Sequence, residues 1–317
     1  MDLYNLKNKK LTQVESKPFN LEKDIQTIIE ENTQELFNLQ FVTTEFSVGD
    51  FRIDSLCFDE ENKSFVIIEY KKGKSYSVID QGYSYLSLML NNKSDFILEY
   101  NENNKDSLKR DDVDWSQSRI IFISPSFNTY QKNSVNFKDV PFELWEIKRF
   151  SNNVISLNQH LPSSKESIQK IEGNKNSVIK SVSREVKVYD EDSHLDTMSE
   201  KNKSLFFKLK EELLTFEDVV LDSKKHYISF KKNNVIVCYT LCRKEHLIIE
   251  IVKGNLRTDG LKSKGFFTLD DPKKVSRIMN FKFKDGTKRE YYQIKLSNLN
   301  DVGYFMMLIK QKYDSLN

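Results

Sequence analysis

The strongest constraint on the fold is an apolar strand that ends in two opposite charges: residues 65–68 are followed by Glu69 and, two positions later, Lys71. Alternate residues of a β-strand lie on one face, so we expect these two side chains to project together. A polar segment, residues 59–63, separates this run from an earlier one that contains Asp54. Two such runs predict an antiparallel pair, in which two carboxylates converge beside one ammonium group.

These residue types suit a divalent metal ion. Mg²⁺ prefers oxygen ligands, usually one or two carboxylates together with water and substrate phosphate. Asp54 and Glu69 supply the carboxylates, while a neighbouring lysine such as Lys71 can orient the attacking water or stabilise the charge on a phosphate. The pattern therefore indicates metal-assisted chemistry on a phosphate ester.

Three short motifs at and after this point resemble the PD-(D/E)XK nuclease superfamily, in particular its RecB-like and NucS-like branches. They are Asp54, the E-x-K element Glu69-Tyr70-Lys71 and the Q-x-x-x-Y element Gln81-Gly82-Tyr83-Ser84-Tyr85. Each motif is weak alone, and their order and spacing make the combination more specific. The proline that precedes the first acid in many members is Ile53 here. The resemblance implies an α/β fold with a restriction-endonuclease-like αβββαβ core.

The same resemblance implies an Mg²⁺- or Mn²⁺-dependent endonuclease that acts on DNA, in repair or in defence against foreign DNA. Asp54, Glu69 and the Tyr70 carbonyl would hold the metal ion, Lys71 would position the water, and Gln81 would complete the catalytic set. Contacts to nucleic acid are then expected from side chains around this site: Arg52, Lys72, Lys74 and Tyr85.

Two other interpretations remain open. The fold could carry a silent site and act as a nucleic-acid-binding or adaptor protein, although such a protein has no need of the complete set of acids, lysine and glutamine. Alternatively, Glu69 and Lys71 could form an ordinary ion pair at a strand end.

The first helix is predicted from residue 20 to residue 39, with Asn20 as its N-cap and an apolar stripe at helical spacing. At about 100° per residue, Glu22 falls at the edge of this stripe and Glu30 nearly opposite it. Related nucleases carry a glutamate early in this helix that reaches the metal site, so the resemblance suggests Glu22 as a further metal ligand. An acid in the first turn that complements the helix dipole explains Glu22 equally well.

The rest of the N-terminal half gives the helix and strand order that the resemblance implies. A small hairpin is predicted over residues 3–14 and a charged, asparagine-rich loop over 101–114. Strands are predicted at 41–48, 51–58, 65–71, 119–124 and 142–147, and helices at 78–90 and 128–137.

Charge and composition divide the chain into a nuclease-like domain at residues 1–160, a polar linker at 161–200 and a small α+β domain at 201–317. The first segment has 19 Lys and Arg against 25 Asp and Glu, whereas the last has 24 against 14, a net charge of +10. This asymmetry favours binding of the last segment to nucleic acid, although a lysine-rich composition alone would give the same count.

The C-terminal half resembles a domain of unknown function found beside nuclease-like modules, in proteins sometimes labelled as predicted transport proteins. It could serve a homodimer or a protein partner. Strands are predicted at 226–230, 235–241, 247–252 and 291–296, and helices at 205–214, 272–279 and 300–313.

No run of about 18 apolar residues exists, so we expect no membrane span and no transport across one. The N-terminus lacks the apolar region of a secretory signal. The three cysteines, Cys57, Cys238 and Cys242, are an odd number without ligand-like histidine spacing. Together these features predict a protein of the reducing cytoplasm.

Overall fold

The computed structural model describes residues 2–71, 77–104, 107–164, 166–171, 177–233, 235–263, 266–283 and 286–316. It divides the chain into two compact units, Met1–Val188 and Tyr189–Asn317. Each unit combines helices with a β-sheet, which confirms the mixed α/β character of the chain.

The main element of the first unit is a seven-stranded sheet. Its strands, and those of a preceding hairpin, are β1 (Leu3–Lys7), β2 (Lys10–Val14), β3 (Ser16–Lys17), β4 (Gln40–Val48), β5 (Phe51–Asp59), β6 (Ser64–Tyr70), β7 (Arg119–Ser124), β8 (Phe142–Phe150) and β9 (Ile155–His160). The order in the sheet is β3-β8-β7-β6-β5-β4, with β9 paired to β8, while β1 and β2 pair only with each other within the described residues. The hairpin predicted over residues 3–14 is therefore confirmed.

Strand direction brings the ends of several strands to one edge of the sheet. β5 pairs antiparallel with β6, as predicted, and Ser55 lies opposite Ile68. β6, β7 and β8 are parallel, so all three end at the same edge, which we call the site edge. There the backbone N–H of Lys71 donates to the carbonyl of Ile123 at 2.9 Å, which extends the β6–β7 pairing past the last strand residue.

Helices cover both faces of this sheet. They are α1 (Glu22–Glu30), α2 (Thr33–Phe37), α3 (Val78–Asn91), α4 (Lys93–Asn104), α5 (Thr129–Ser134), α6 (Ile168–Ile171) and α7 (Ser177–Glu185). Phe65 and Ile67 pack with α3 and α4 in one core, whereas Val66 and Ile68 pack with α1 in a second core. Because β6 is buried on both faces, its apolar run shows no alternation with polar residues.

The prediction of one helix over residues 20–39 is wrong. α1 ends at Glu30 and α2 begins at Thr33, and Leu21 rather than Asn20 is the N-cap of α1. The N–H of Leu21 is satisfied by the Asp24 carboxylate at 3.1 Å. α2 ends at Phe37 and is followed by Asn38, whose φ of 57° is left-handed and cannot continue a helix.

The linker predicted over 161–200 is also wrong over much of its length. α7 packs against α3, and its Ile179 and Val182 are buried in the same core as Phe65. Residues up to 188 therefore belong to the first unit. An asparagine-rich loop was predicted over 101–114, but residues 101–104 form the last turn of α4, which ends at Asn104.

α3 begins at the Ser77 N-cap, whose hydroxyl accepts from the backbone N–H of Asp80, and it confirms the helix predicted at 78–90. Its Gly82 faces β8 so closely that a Cβ atom there would lie 2.4 Å from the ring of Phe142. That ring is fixed by edge-on contacts with Tyr83 and Phe122. Glycine at this position thus lets the helix that carries Gln81 lie directly on the sheet.

Gly82→Ala is expected to lower the free energy of unfolding by about 1 to 3 kcal/mol, because overpacking a rigid ring outweighs the better helix propensity of alanine. Denaturant unfolding measures the change. Gly303→Ala in the C-terminal helix is the control, since nothing lies within 4 Å of a Cβ atom at that position. A neutral or stabilising Gly82→Ala would show that α3 does not pack this closely.

The second unit is an antiparallel sheet with two long helices against it. Its elements are α8 (Glu191–Leu195), α9 (Glu200–Leu213), β10 (Val219–Ser223), β11 (Ile228–Lys232), β12 (Val235–Cys242), β13 (Leu247–Leu256), β14 (Arg277–Lys282), β15 (Lys288–Leu296) and α10 (Val302–Asp314). The strand order is β10-β11-β12-β13-β15-β14, and residues of α9 and α10 share one core with β11, β12, β13 and β15. The helix predicted at 272–279 is wrong, because residues from 277 onward form β14.

Within the part of the chain that the structure describes, no helix combines the length and the apolar character needed to cross a membrane.

Candidate metal-ion site

The first acid of the candidate site is Asp54, near the start of β5. It is half-buried and lies between Ile53 and Ser55, which are both fully buried. Its Oδ2 accepts the backbone N–H of Tyr70 at 3.0 Å. The last backbone pair between β5 and β6 is Ser55 with Ile68, so the Asp54 carboxylate takes the place of the next ladder bond. This bond holds the acid at the site edge.

The second acid is Glu69, whose side chain is buried on the α3 face. Its Oε1 accepts two hydrogen bonds, from Lys71 Nζ at 2.7 Å and from Gln81 Nε2 at 2.7 Å. Its Oε2 is buried and accepts no hydrogen bond from any described residue. The four side chains predicted to be catalytic, Asp54, Glu69, Lys71 and Gln81, are thus brought to one place.

Both acids hold their protons more strongly than usual. Burial is the main cause for Glu69 and the charge of Asp54 adds to it, so the pKa of Glu69 rises to about 7 despite Lys71 and Gln81. Burial also raises the pKa of Asp54, against the Tyr70 N–H and Lys71, which lower it. The two carboxylates therefore disfavour each other's ionisation, as expected for acids that share one small space.

Gln81 and Tyr85 support the site from α3. Gln81 Nε2 also donates to the Tyr85 hydroxyl at 3.1 Å, and this hydroxyl donates to the carbonyl of Arg52 at 3.2 Å. Gln81 and Tyr85, four positions apart in the sequence, thus lie on one face of α3. Tyr85 is buried, so it lies beneath the site and not on its surface.

The first helix approaches the site differently from the prediction. Glu22 is exposed, and its negative charge contributes to the raised pKa of Asp54. Glu30 was expected to face water but is half-buried and accepts from the Ser55 hydroxyl at 2.6 Å. The assumed rotation is therefore wrong for Glu30, because it was derived from a stripe that continued through the break after α1.

Gln26 is a site residue that the sequence argument missed. It is buried on α1, and its Nε2 donates to the main-chain carbonyl of Asp54 at 3.0 Å and to Thr44. A glutamine within an apolar stripe carries no hydrophobic signal. Its position between Ile25 and Ile29 was the only sequence feature that could have indicated burial.

The predicted nucleic-acid contacts are not all placed by the structure. Lys72 and Lys74 lie outside the described residues. Arg52 is exposed and forms an ion pair with Glu45 at 2.8 Å. Phe51, next to it, is an exposed aromatic residue whose ring packs edge-on against Tyr85. The surface around the site is therefore partly apolar.

The oxygen ligands at this site suit an ion such as Mg²⁺, which needs few protein ligands, better than an ion that is held by protein side chains alone. No group of three or more His, Cys, Asp and Glu side chains within the described ranges could hold a metal ion, so Glu22 is not brought into a ligand group with the other two acids. Mg²⁺ commonly takes one or two carboxylates and completes its shell with water and phosphate. Asp54 and Oε2 of Glu69, which has no hydrogen-bond partner in the described part of the chain, match that requirement.

Comparison with known proteins identifies the family of the chain. A protein of Haemophilus influenzae described as uncharacterized is 40% identical over 313 residues, which cover 98% of this chain and 99% of that protein. The chain belongs to the same family as this protein. Residues 191–315 match the family described as a domain of unknown function, DUF5655, in agreement with the resemblance noted for the C-terminal half.

The EndoMS-dsDNA2 complex has 16% sequence identity and a TM-score of 0.27, over 43% of this chain and 50% of the EndoMS chain. The match spans about half the length of that solved chain, and a TM-score of this size does not assign a fold.

Proposed function

We propose that this protein is an Mg²⁺- or Mn²⁺-dependent endonuclease that hydrolyses phosphodiester bonds in DNA, with a restriction-endonuclease-like αβββαβ core in its first unit. The observation that carries the proposal is the buried carboxylate of Glu69. One of its oxygens is shared by Lys71 and Gln81, and the other is left without a partner among the described residues.

An ordinary ion pair at a strand end explains this arrangement poorly. A second acid nearby does not stabilise an ion pair whose role is structural. In addition, a buried polar atom without a hydrogen bond lowers the stability of the fold by about 1 to 3 kcal/mol. Here Asp54 raises the pKa of Glu69, and Oε2 of Glu69 has no described hydrogen-bond donor. Raised pKa values combined with specific charged partners are typical of functional sites.

Each side chain has a distinct role in the proposed reaction. A bound divalent ion would stabilise charge on the phosphate and acidify a bound water. Asp54, Glu69 and the Tyr70 carbonyl would hold that ion, while Lys71, fixed by Oε1 of Glu69, would position the attacking water or stabilise charge on the phosphate. Gln81 orients Glu69 by donating to the same oxygen, Oε1, so that Oε2 would be available to the metal ion.

The second unit is proposed to add contacts to the nucleic acid. With the boundary at residue 188, five acidic residues that had been assigned to the linker belong to this unit: Asp190, Glu191, Asp192, Asp196 and Glu200. Residues 189–317 then have 24 Lys and Arg against 19 Asp and Glu, a net charge of +5 in place of +10. A smaller contribution to DNA affinity is therefore expected from this unit than the count over 201–317 suggested.

The decisive test is incubation of the purified full-length chain with supercoiled plasmid and with single-stranded circular DNA, in Mg²⁺, Mn²⁺ or EDTA. Metal-dependent appearance of nicked or linear products is expected, and the comparison of the two substrates defines the strand requirement. DNA that is bound but left intact in both metals would contradict the nuclease proposal and favour the adaptor interpretation.

A further inference from the structure

The N-terminal hairpin, β1 with β2, stands apart from the main sheet. It comprises residues 3–14, which we call the lysine hairpin, and its strands pair in register from Leu3 with Val14 to Lys7 with Lys10. Asn8 and Lys9 make the turn with φ values of 49° and 63°, as a two-residue hairpin turn requires. An isolated two-stranded hairpin is only marginally stable in water, so contact with a further surface would stabilise it.

One face of the lysine hairpin is apolar and exposed. Tyr4, Leu6 and Leu11 are 49%, 71% and 66% exposed. Leu6 lies directly opposite Leu11, and Tyr4 lies two positions from Leu6, so the three side chains share one face. Contiguous apolar surface of this kind marks an interaction site.

The turn of the lysine hairpin is strongly basic. Lys7, Lys9 and Lys10 are exposed, and residues 3–14 contain no acid. None of the three lysines forms an ion pair with a residue that the structure describes. The first unit as a whole is acidic, with 25 Lys and Arg against 28 Asp and Glu in residues 1–188. A local excess of positive charge on an otherwise acidic unit favours binding of a polyanion at that place.

The hairpin leaves the main sheet at the same edge as the candidate metal-ion site. It is followed at once by β3, whose Ser16 and Lys17 pair with Phe150 and Arg149 at the end of β8. β8 is parallel to β6 through β7, so this end of β8 lies at the site edge, as does Glu69. β3 is three strands from β6, a sideways distance of about 14 Å at the usual strand spacing. Glu69 is level with Leu144, and Ser16 pairs with Phe150, six residues and about 20 Å further along β8. The two offsets give a separation of about 24 Å, which about seven base pairs of duplex DNA cover.

We infer that the lysine hairpin binds duplex DNA to one side of the scissile phosphate. Tyr4, Leu6 and Leu11 lie against sugars and base edges in a groove, as apolar residues of groove-binding proteins do. Lys7 and Lys10 project from the other face of the hairpin, next to the turn, and contact the backbone phosphates at the side of that groove. This inference rests on the proposed nuclease function for the position of the DNA. The inference is supported independently by the exposed lysines and the exposed apolar residues that this one hairpin carries.

The test measures binding of the full-length chain to a fluorescent 25-base-pair duplex in EDTA, over a series of salt concentrations. Lys7→Gln with Lys10→Gln is expected to reduce the slope of log affinity against log salt by about 1.8, since each lost phosphate contact removes about 0.9. Lys9 is left in place because its φ is positive. Lys109→Gln with Arg110→Gln is the matched control, since both residues are exposed and precede β7 at the opposite edge of the sheet.

A second variant tests the apolar face. Leu6→Ser with Leu11→Ser is expected to weaken duplex binding without changing the salt slope, and circular dichroism checks that the main fold is retained. A parental salt slope in the lysine variant, or an equal loss in the control, overturns the inference. It is also overturned if the serine variant changes sedimentation from oligomer to monomer while DNA affinity stays parental, because the hairpin then binds a second copy of the chain.

The same measurements separate this inference from the nuclease proposal. Reduced binding by both hairpin variants in a protein that cleaves no DNA in any metal supports the hairpin and contradicts the nuclease. If both hairpin variants bind DNA as the parent does and the protein cleaves DNA, the result supports the nuclease proposal and contradicts the hairpin inference.

Discussion

Asp54→Asn and Glu69→Gln are each expected to abolish metal-dependent DNA cleavage, with a loss of turnover on the order of a thousandfold or more. Each change removes a charge that a divalent ion needs and leaves the size of the side chain unchanged. The amide oxygen introduced by Asp54→Asn can still accept the N–H of Tyr70, so the end of β5 stays in place. Initial rates of plasmid nicking measure the loss, and thermal unfolding checks that the fold is intact.

Asp50→Asn is the control for these two variants. Asp50 lies in the turn between β4 and β5, only four residues from Asp54, but it is exposed. Its substitution should leave the cleavage rate at the parent level. If either Asp54→Asn or Glu69→Gln cleaves DNA at the parent rate, the assignment of these acids as metal ligands is wrong, whatever the control shows.

In the absence of metal, the free energy of unfolding is expected to fall as the pH rises from about 4.5 to about 7. The pKa of Glu69 is about 7 in the folded protein and near 4.5 in the unfolded chain, so the folded state holds the extra proton in this range. Stability is then greatest below the unfolded pKa and is lost as the pH rises through the folded pKa. The change amounts to roughly 2 to 3 kcal/mol, which urea unfolding at several pH values measures.

Two controls define this pH dependence. Glu69→Gln should remove most of the decline, whereas Glu102→Gln, at an exposed position of α4, should leave it unchanged. Mg²⁺ should raise the melting temperature more at pH 8 than at pH 5.5, because the ion competes with the proton of Glu69. An equal Mg²⁺ effect at both pH values would contradict a site that contains this carboxylate.

The sequence was informative where local pattern and tertiary structure require the same residues. The apolar run of β6 and the polar turn before it predicted the antiparallel pair that places Asp54 near Glu69. The four-residue spacing of Gln81 and Tyr85 is that of one helix face, and their hydrogen bond follows from it. In each case the partners lie close in the sequence, so few alternative arrangements compete.

Prediction failed where burial and polarity do not coincide. Gln26 is polar and buried, and Glu30 is charged and half-buried, so neither contributes to an apolar stripe. The break between α1 and α2, at Glu31 and Asn32, and the left-handed Asn38 after α2 depend on backbone geometry that a periodicity argument does not contain. β14 was taken for a helix because nearly all its side chains are exposed on an edge strand, which leaves no alternating pattern.

The connection between the two acids also bears on how the chain folds. β4, β5 and β6 follow one another as antiparallel neighbours, so Asp54 and Glu69 meet after closure of a loop of 15 residues. The parallel pairing of β6 with β7 brings together Glu69 and Phe122, 53 residues apart, and has a higher loop-closure entropy. Contacts of low sequence separation form early in folding. The carboxylate pair therefore belongs to a part of the first unit with low contact order, and we expect α3 to bring Gln81 to the site after the two acids have come together.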